Sequence, residues 1–312
     1  MAEIIKSYKG FNKDMTCRGF QYEEGTADAC HSGFHACEYP LDCFNYYSPN
    51  ESVYHEVEQS GEFDRGEDDS KVASTKIKIG ARLDISGLVK AAIDFTMSRV
   101  KKEAKSDEDY GASSATGYYG ASSATGYYGA SSATGDYGAS SATGYKGASS
   151  ATGYKGASSA TGDYGASSAT GNCGASSATG YKGASSATGD YGASSATGYK
   201  GASSATGDYG ASSATGNCGA SSATGYYGAS SANDSESIAV AWGYKGKAMG
   251  VLGSHIVLAE WKYIGSENDD AYDRSEQEAW EFVGAKMFRV DGEKVKPDTW
   301  YRLENGELVE VD

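Results

Sequence analysis

The chain has 312 residues, 39% of them hydrophobic, and sets 42 acidic side chains against 27 basic ones for a net charge of −15. That length allows two or three domains, and the acidic balance excludes binding to a phosphate backbone, which needs clustered lysine and arginine. The opening residues MAEIIKSYKGF contain no apolar run, and no stretch approaches the ~20 apolar residues of a membrane span, so neither a signal peptide nor a spanning helix is expected.

Residues 1–105 read as a small α+β domain. Strand-like runs lie at Ile4–Tyr8, Val53–Val57, Lys71–Ile79 and Ala81–Ile85. Residues 86–104 read as a helix with Leu88, Ala92, Phe95 and Val100 apolar, followed by a short acidic link over 106–110. Cys17, Cys30, His31, His35, Cys37 and Cys43 are potential zinc ligands, with Cys17, Cys30, His35 and Cys37 the candidates for a site. They lack a C-x₂-C pair, so buried reduced thiols in a cytoplasmic protein, with no metal and no cofactor, are the expectation.

Two strings in this domain are distinctive: Cys17-Arg-Gly-Phe-Gln-Tyr-Glu23 and Ser32-Gly-Phe-His-Ala-Cys-Glu-Tyr-Pro-Leu-Asp42. Together with Val57-Glu-Gln-Ser-Gly61 and the Lys71–Ile79 strand, they resemble an uncharacterised family of phage and prophage proteins, across most of residues 5–85. The resemblance implies a phage or mobile-element origin and a place in the host cytoplasm or with the phage. It implies no activity. Arg18-Gly-Phe, Gly33-Phe-His and the following Pro-Leu-Asp-x-Phe-x-Tyr-Tyr also resemble the nicotinamide frame of ADP-ribosyltransferases, with Glu56 or Glu58 in the place of the terminal glutamate.

From Gly111 to Tyr227 the nonapeptide Gly-Ala-Ser-Ser-Ala-Thr-Gly-x-x repeats thirteen times without a break. A strict period with small residues at fixed places predicts a solenoid, here over residues 106–235. Nine residues cannot close around a core, so two repeats form each coil of a parallel β-roll, with 18 residues per coil. Ser-Ser-Ala-Thr is the strand, and Gly-x-x-Gly is the turn, where glycine permits positive φ. Alternation along the strand puts Ser113 and Ala115 inside and Ala112, Ser114 and Thr116 outside. The buried serines must then hydrogen-bond along their own column. Four lysines and four aspartates leave the array neutral, with −7 on residues 1–110 and −8 on 228–312. The array is similar to ice-nucleation repeats and to the β-roll head of trimeric bacterial adhesins. Aspartate stands in only four copies, always in the variable pair, which argues against the calcium-binding nonapeptide roll.

Beyond the array, Gly243-Tyr-Lys-Gly246 copies its turn. Ile238, Val240, Val251, Ile256, Val257 and Leu258 replace the small residues, which predicts larger-cored terminal coils over 236–262. Residues 263–312 read as an α+β cap. It has a helix over Glu276–Lys286 with Trp280, Val283 and Met287 on one face, strands around Met287–Val290 and Trp300–Leu303, and a final hairpin at Glu304-Asn-Gly-Glu307.

The array holds neither histidine nor glutamate, so the expected function is structural. Tyr118, Tyr119, Tyr127, Tyr128, Tyr137, Tyr145, Tyr154, Tyr164, Tyr181, Tyr191, Tyr199, Tyr209, Tyr226 and Tyr227 should form ladders along both edges. Exposed aromatic ladders are contact surfaces, so self-association into a homo-oligomer or filament, or binding of an unknown protein partner, is expected. An alternative is ice or ordered-surface binding by a flat Ala-Ser-Thr lattice that includes Thr116, Thr125, Thr134 and Thr143. A further alternative is an ADP-ribosyltransferase-like activity in the N-terminal domain.

Overall fold

A computed structural model describes residues 3–17, 20–23, 25–28, 33–49, 51–65, 70–99, 104–265 and 279–311. Each nonapeptide supplies one Ala-Ser-Ser-Ala-Thr strand and one tight turn. A strand pairs parallel and in register with the strand 18 residues on, as Ala121 with Ala139 and Thr125 with Thr143. Successive repeats therefore alternate between two sheets, and each sheet holds nine parallel strands. The chain is a β-solenoid of about nine coils with 18 residues per coil.

The turn closes through Gly120 N–H donating to Gly117 O at 2.9 Å. Its first glycine has φ near +150° at Gly162, where a Cβ would stand 1.5 Å from Gly144 O of the coil below. Only glycine fits a coil-to-coil approach that close.

Inside, the third and fifth residues of each repeat meet as a thin layer of serine and alanine. The serines do not bond along their own columns. Each Oγ donates across the roll to the serine nine residues earlier, in the other sheet: Ser122 to Ser113 at 2.9 Å, Ser131 to Ser122 at 3.0 Å. The contacts continue to Ser230, so one zigzag chain links fourteen hydroxyls. The reason is distance. Facing sheets with only Ser and Ala between them bring hydroxyls within 2.7–3.0 Å of each other, closer than the ~4.8 Å between strands of one sheet.

The strand Ala104–Ser106 already belongs to the roll, pairing parallel with Ser122–Ala124. At the other end the terminal coils correct the sequence reading. Ile238 and Val240 are half-buried on the outer face, while Ala239 and Ala241 take the inward positions. Only the last coil has a larger core, where Ile256 and Leu258 are fully buried with Val290, Tyr301 and Leu303. The cap helix expected from Glu276 is not one in its described part. Residues Trp280–Arg289 are a strand, antiparallel to His255–Tyr263; residues 276–278 lie outside the described residues. Trp280 and Phe282 sit at a spacing of two and oppose Tyr263 and Trp261. Cross-strand aromatic pairing at an open sheet edge outweighs the helical pattern. The other sheet ends in Trp300–Glu304 and Glu307–Val311. Their turn has φ of 51° at Asn305 and 74° at Gly306, as a two-residue Asn-Gly hairpin requires. Reversing strand direction at both sheets covers the parallel edges on which another chain could stack.

The N-terminal unit is a closed antiparallel ring. Ile4–Asn12 pairs with Ser52–Arg65, that strand with Lys71–Leu83, that with Phe34–Cys37, and the last returns to the first. The two strands read at 71–79 and 81–85 are thus one. Phe11, Phe34, Val57 and Ile77 fill the ring. Buried Gln59 accepts from Ser7 Oγ at 2.8 Å and donates to Phe34 O and Val72 O at 2.9 Å, which satisfies a polar group in an apolar setting.

The helix expected over 86–104 spans Ile85–Arg99 and precedes the first strand of the roll. It lies against the outer face of one solenoid sheet, across the strands from Ala121–Thr125 to Ala193–Thr197. Leu88, Ala92 and Thr96 on it are fully buried.

Candidate interaction surfaces

Three surfaces of the solenoid differ although one nonapeptide builds them all. The first is the edge that receives the N-terminal unit. Its turns carry, in order, Tyr119, Tyr137, Lys155, Cys173, Tyr191, Tyr209 and Tyr227. Tyr39, fully buried, donates its hydroxyl to Lys155 O at 2.7 Å and meets Tyr137 edge-on at 4.8 Å. The Lys155 ammonium forms a buried ion pair with Asp42. Burial alone would lower the Lys155 pKa; the hydrogen bond and charge of Asp42 outweigh it and hold it above the ordinary lysine value. Cys173 contacts Asn45 Oδ1 at 3.3 Å, and burial pushes its thiol up to about 11. Lys247, on the last coils, is buried near Glu51 at 3.7 Å, and burial lowers its pKa to about 8. The buried apolar cluster here spans the unit and the array, from Tyr39, Leu41 and Phe44 to Ala139, Ala157 and Ala175.

The second surface is the opposite edge. Tyr127 stacks on Tyr145 at 4.9 Å and Tyr181 on Tyr199 at 5.3 Å. Tyr145 meets Tyr164 edge-on at 5.3 Å. The ladder is mixed rather than purely aromatic. Lys146 Nζ lies 5.3 Å from the Tyr128 ring and 5.8 Å from Tyr164, and Lys182 Nζ lies 5.4 Å from Tyr164. A cation on a ring face continues the stack without another tyrosine. On the first edge Tyr119 stacks on Tyr137 at 5.0 Å and Tyr209 on Tyr227 at 5.1 Å. Tyr118 touches Tyr137, and Tyr226 touches Tyr244. Tyr154 borders the Lys155 ammonium at 5.3 Å. Tyrosine ladders thus run along both edges, but on one of them the middle section lies against the N-terminal unit.

The third surface comprises the two sheet faces. Thr116, Thr125, Thr134 and Thr143 are all exposed, but they do not share one face: Thr116 and Thr134 stand on one sheet, Thr125 and Thr143 on the other. The first alanine of the repeat is buried in Ala139, Ala157, Ala175 and Ala193, beneath the helix. Its counterparts Ala130, Ala148, Ala166 and Ala184 are exposed. That open face holds a shallow trough of about 640 Å³, lined only by alanine and serine from six successive strands.

Of the candidate metal ligands, Cys17, His35, Cys37 and Cys43 lie in the described residues. Among the described residues, no three His, Cys, Asp or Glu side chains form a metal-binding group. Cys17 Sγ lies 3.6 Å from the buried Lys9 ammonium and touches the Tyr47 hydroxyl. Cys37 is buried, and His35 is half-buried with its carbonyl accepting from Lys9 at 2.9 Å. Cys30 and His31 lie outside the described residues, as do Arg18 and Gly19 of the nicotinamide-frame resemblance. Glu56 and Glu58 form surface ion pairs with Lys6 at 2.9 Å and Lys78 at 3.1 Å. Sequence reasoning missed Asp42 and Lys155 as partners. The one signal was a carboxylate inside the apolar string Tyr39-Pro-Leu-Asp42-Cys-Phe44.

Residues 5–91 match a family described as a domain of unknown function (DUF7666), which covers the ring and the first half of the helix and stops short of the array. No curated protein and no solved structure matches the chain.

Proposed function

We propose that the protein is a non-enzymatic scaffold: a rigid β-solenoid that self-associates or displays a repetitive binding surface, in a phage or mobile-element setting. The observation that carries the reading is the chemistry of the free edge and open face. Both repeat at the coil spacing, and both are exposed. Stacked tyrosines contribute contact area at low entropy cost. The N-terminal motifs support the phage setting, and free thiols at Cys17, Cys43, Cys173 and Cys218 suit a reducing host cytoplasm.

Sedimentation at rising concentration tests the self-association arm. Replacing Tyr127, Tyr145, Tyr181 and Tyr199 with serine should release monomers while the β signal in circular dichroism persists. A wild-type protein that stays monomeric at high concentration removes the tyrosine edge as a contact, and the tyrosines then serve to brace successive coils. Exposed threonine columns on both sheets favour ordered-surface binding as a second reading. Absence of thermal hysteresis would eliminate its ice-binding form.

A further inference from the structure

The period of nine residues is also a symmetry operator. Advancing nine positions turns half a coil and carries one sheet onto the other. The helix Ile85–Arg99 marks what one face accepts. Its neighbours in the buried cluster are Ala139, Ala157, Ala175 and Ala193, and its Ser86 hydroxyl meets Ser177 Oγ at 3.1 Å and Ser195 Oγ at 3.2 Å. Advancing these six residues by nine gives Ala148, Ala166, Ala184, Ala202, Ser186 and Ser204. All six line the trough. Six strands span roughly 24 Å, and a 15-residue helix is about 22 Å long, so the trough has the length of the helix seated on the other side.

We propose that this trough is a docking site for a helix of a partner protein, lying along the solenoid axis. It takes an amphipathic helix of about four turns. One face of that helix carries Leu-, Ala- and Thr-sized side chains at i, i+4 and i+8, as Leu88, Ala92 and Thr96 do here, with a serine hydroxyl near its N-terminus. The described helix of this chain, Ile85–Arg99, is already seated on the other sheet, so the occupant is taken to be a helix of another protein. A helix is favoured over a second solenoid because the surface is concave, and because the same lattice in the same chain holds a helix. The inference deepens the display arm of the proposed scaffold and rests on it.

The test uses the intact protein and a dye-labelled peptide of residues 84–99. Saturable binding is expected, with a gain in helical circular dichroism as the peptide orders. In the double variant Ala166→Glu/Ala184→Lys, whose new side chains oppose each other across adjacent strands and fill the trough, binding should weaken at least tenfold. Thr143→Lys, on the other sheet, should leave it unchanged. Three results overturn the proposal: no saturable binding at about 1 mM peptide, binding insensitive to the trough substitutions, or a wild-type dimer that those substitutions dissociate. The last would give the face to a second copy. Edge association, read by sedimentation of the tyrosine variants, can fail while peptide binding holds, so the two failures are separable.

Discussion

The ammonium of Lys155 and the carboxylate of Asp42 pair out of water, 113 positions apart in the chain, and both side chains are almost wholly inaccessible, at 5% and 0% exposed. A lysine in the same place in another repeat, Lys200, stands in solvent on the free edge. One Tyr-Lys turn therefore anchors the N-terminal unit, while an identical one does not.

That contrast is directly measurable. Lys155→Ala leaves a buried carboxylate without its cation and should cost about 3–5 kcal/mol. Lys200→Ala should cost less than about 0.5 kcal/mol. Urea unfolding of the two variants gives the comparison; equal effects would mean that the pair does not hold the unit to the array.

The turn glycines make a second contrast. Gly162→Ala forces a methyl against Gly144 O of the coil below and should cost several kcal/mol, with local loss of stacking. At Gly117, on the first coil, a Cβ meets nothing within 4 Å. Its φ of +135° alone opposes a side chain, so Gly117→Ala should cost only about 1–2 kcal/mol. Thermal melts of both would show it, and a Gly162→Ala variant as stable as wild type would refute the close coil contact.

The serine chain should respond as a network. Ser158→Ala removes the hydroxyl between Ser149 and Ser167 and should cost about 1–2 kcal/mol. Adding Ser149→Ala removes a neighbour that has already lost a partner, so the double variant should cost less than the sum of the singles. Additivity within error in a double-mutant cycle would argue for isolated bonds.

Alkaline unfolding follows from the buried phenols. Burial raises Tyr39 and Tyr54 well above the ordinary value of 10.0, and Tyr22 to about 12. A phenol with a raised folded pKa stabilises the fold fully below pH 10, where both states hold the proton. The contribution is lost as pH climbs through the folded value, by about 1.4 kcal/mol per pH unit and group. Lys247 acts oppositely. With a folded pKa of about 8 against 10.5, it keeps its charge more readily unfolded, so its contribution to stability rises from pH 8 to 10.5. Stability should therefore hold or rise slightly from pH 8 to 10 and then fall steeply. Urea midpoints across pH 8–12 read this, and Tyr39→Phe should flatten the fall; an equally steep fall in Tyr39→Phe would exclude that phenol as a cause.

The nonapeptide determined much on its own. Its length required two repeats per coil, its alternation placed Ser113 and Ala115 inward, and Gly-x-x-Gly specified the turn, because each depends on contacts between identical neighbours. The Asn305-Gly306 hairpin was legible for the same local reason. What the sequence did not carry was any difference between repeats that read alike. Ala139 is buried and Ala148 exposed, although both open the same string, because a helix from residues 85–99 covers one sheet and leaves the other open. The Glu276–Lys286 pattern failed because a free sheet edge beside Tyr263 and Trp261 offered aromatic partners to Trp280 and Phe282. The direction of the serine hydrogen bonds was fixed by the gap between sheets, which no strand specifies alone. A periodic sequence determines its own coil, but what breaks the equivalence of its faces and edges comes from non-repeating segments, and where those pack is settled only in three dimensions.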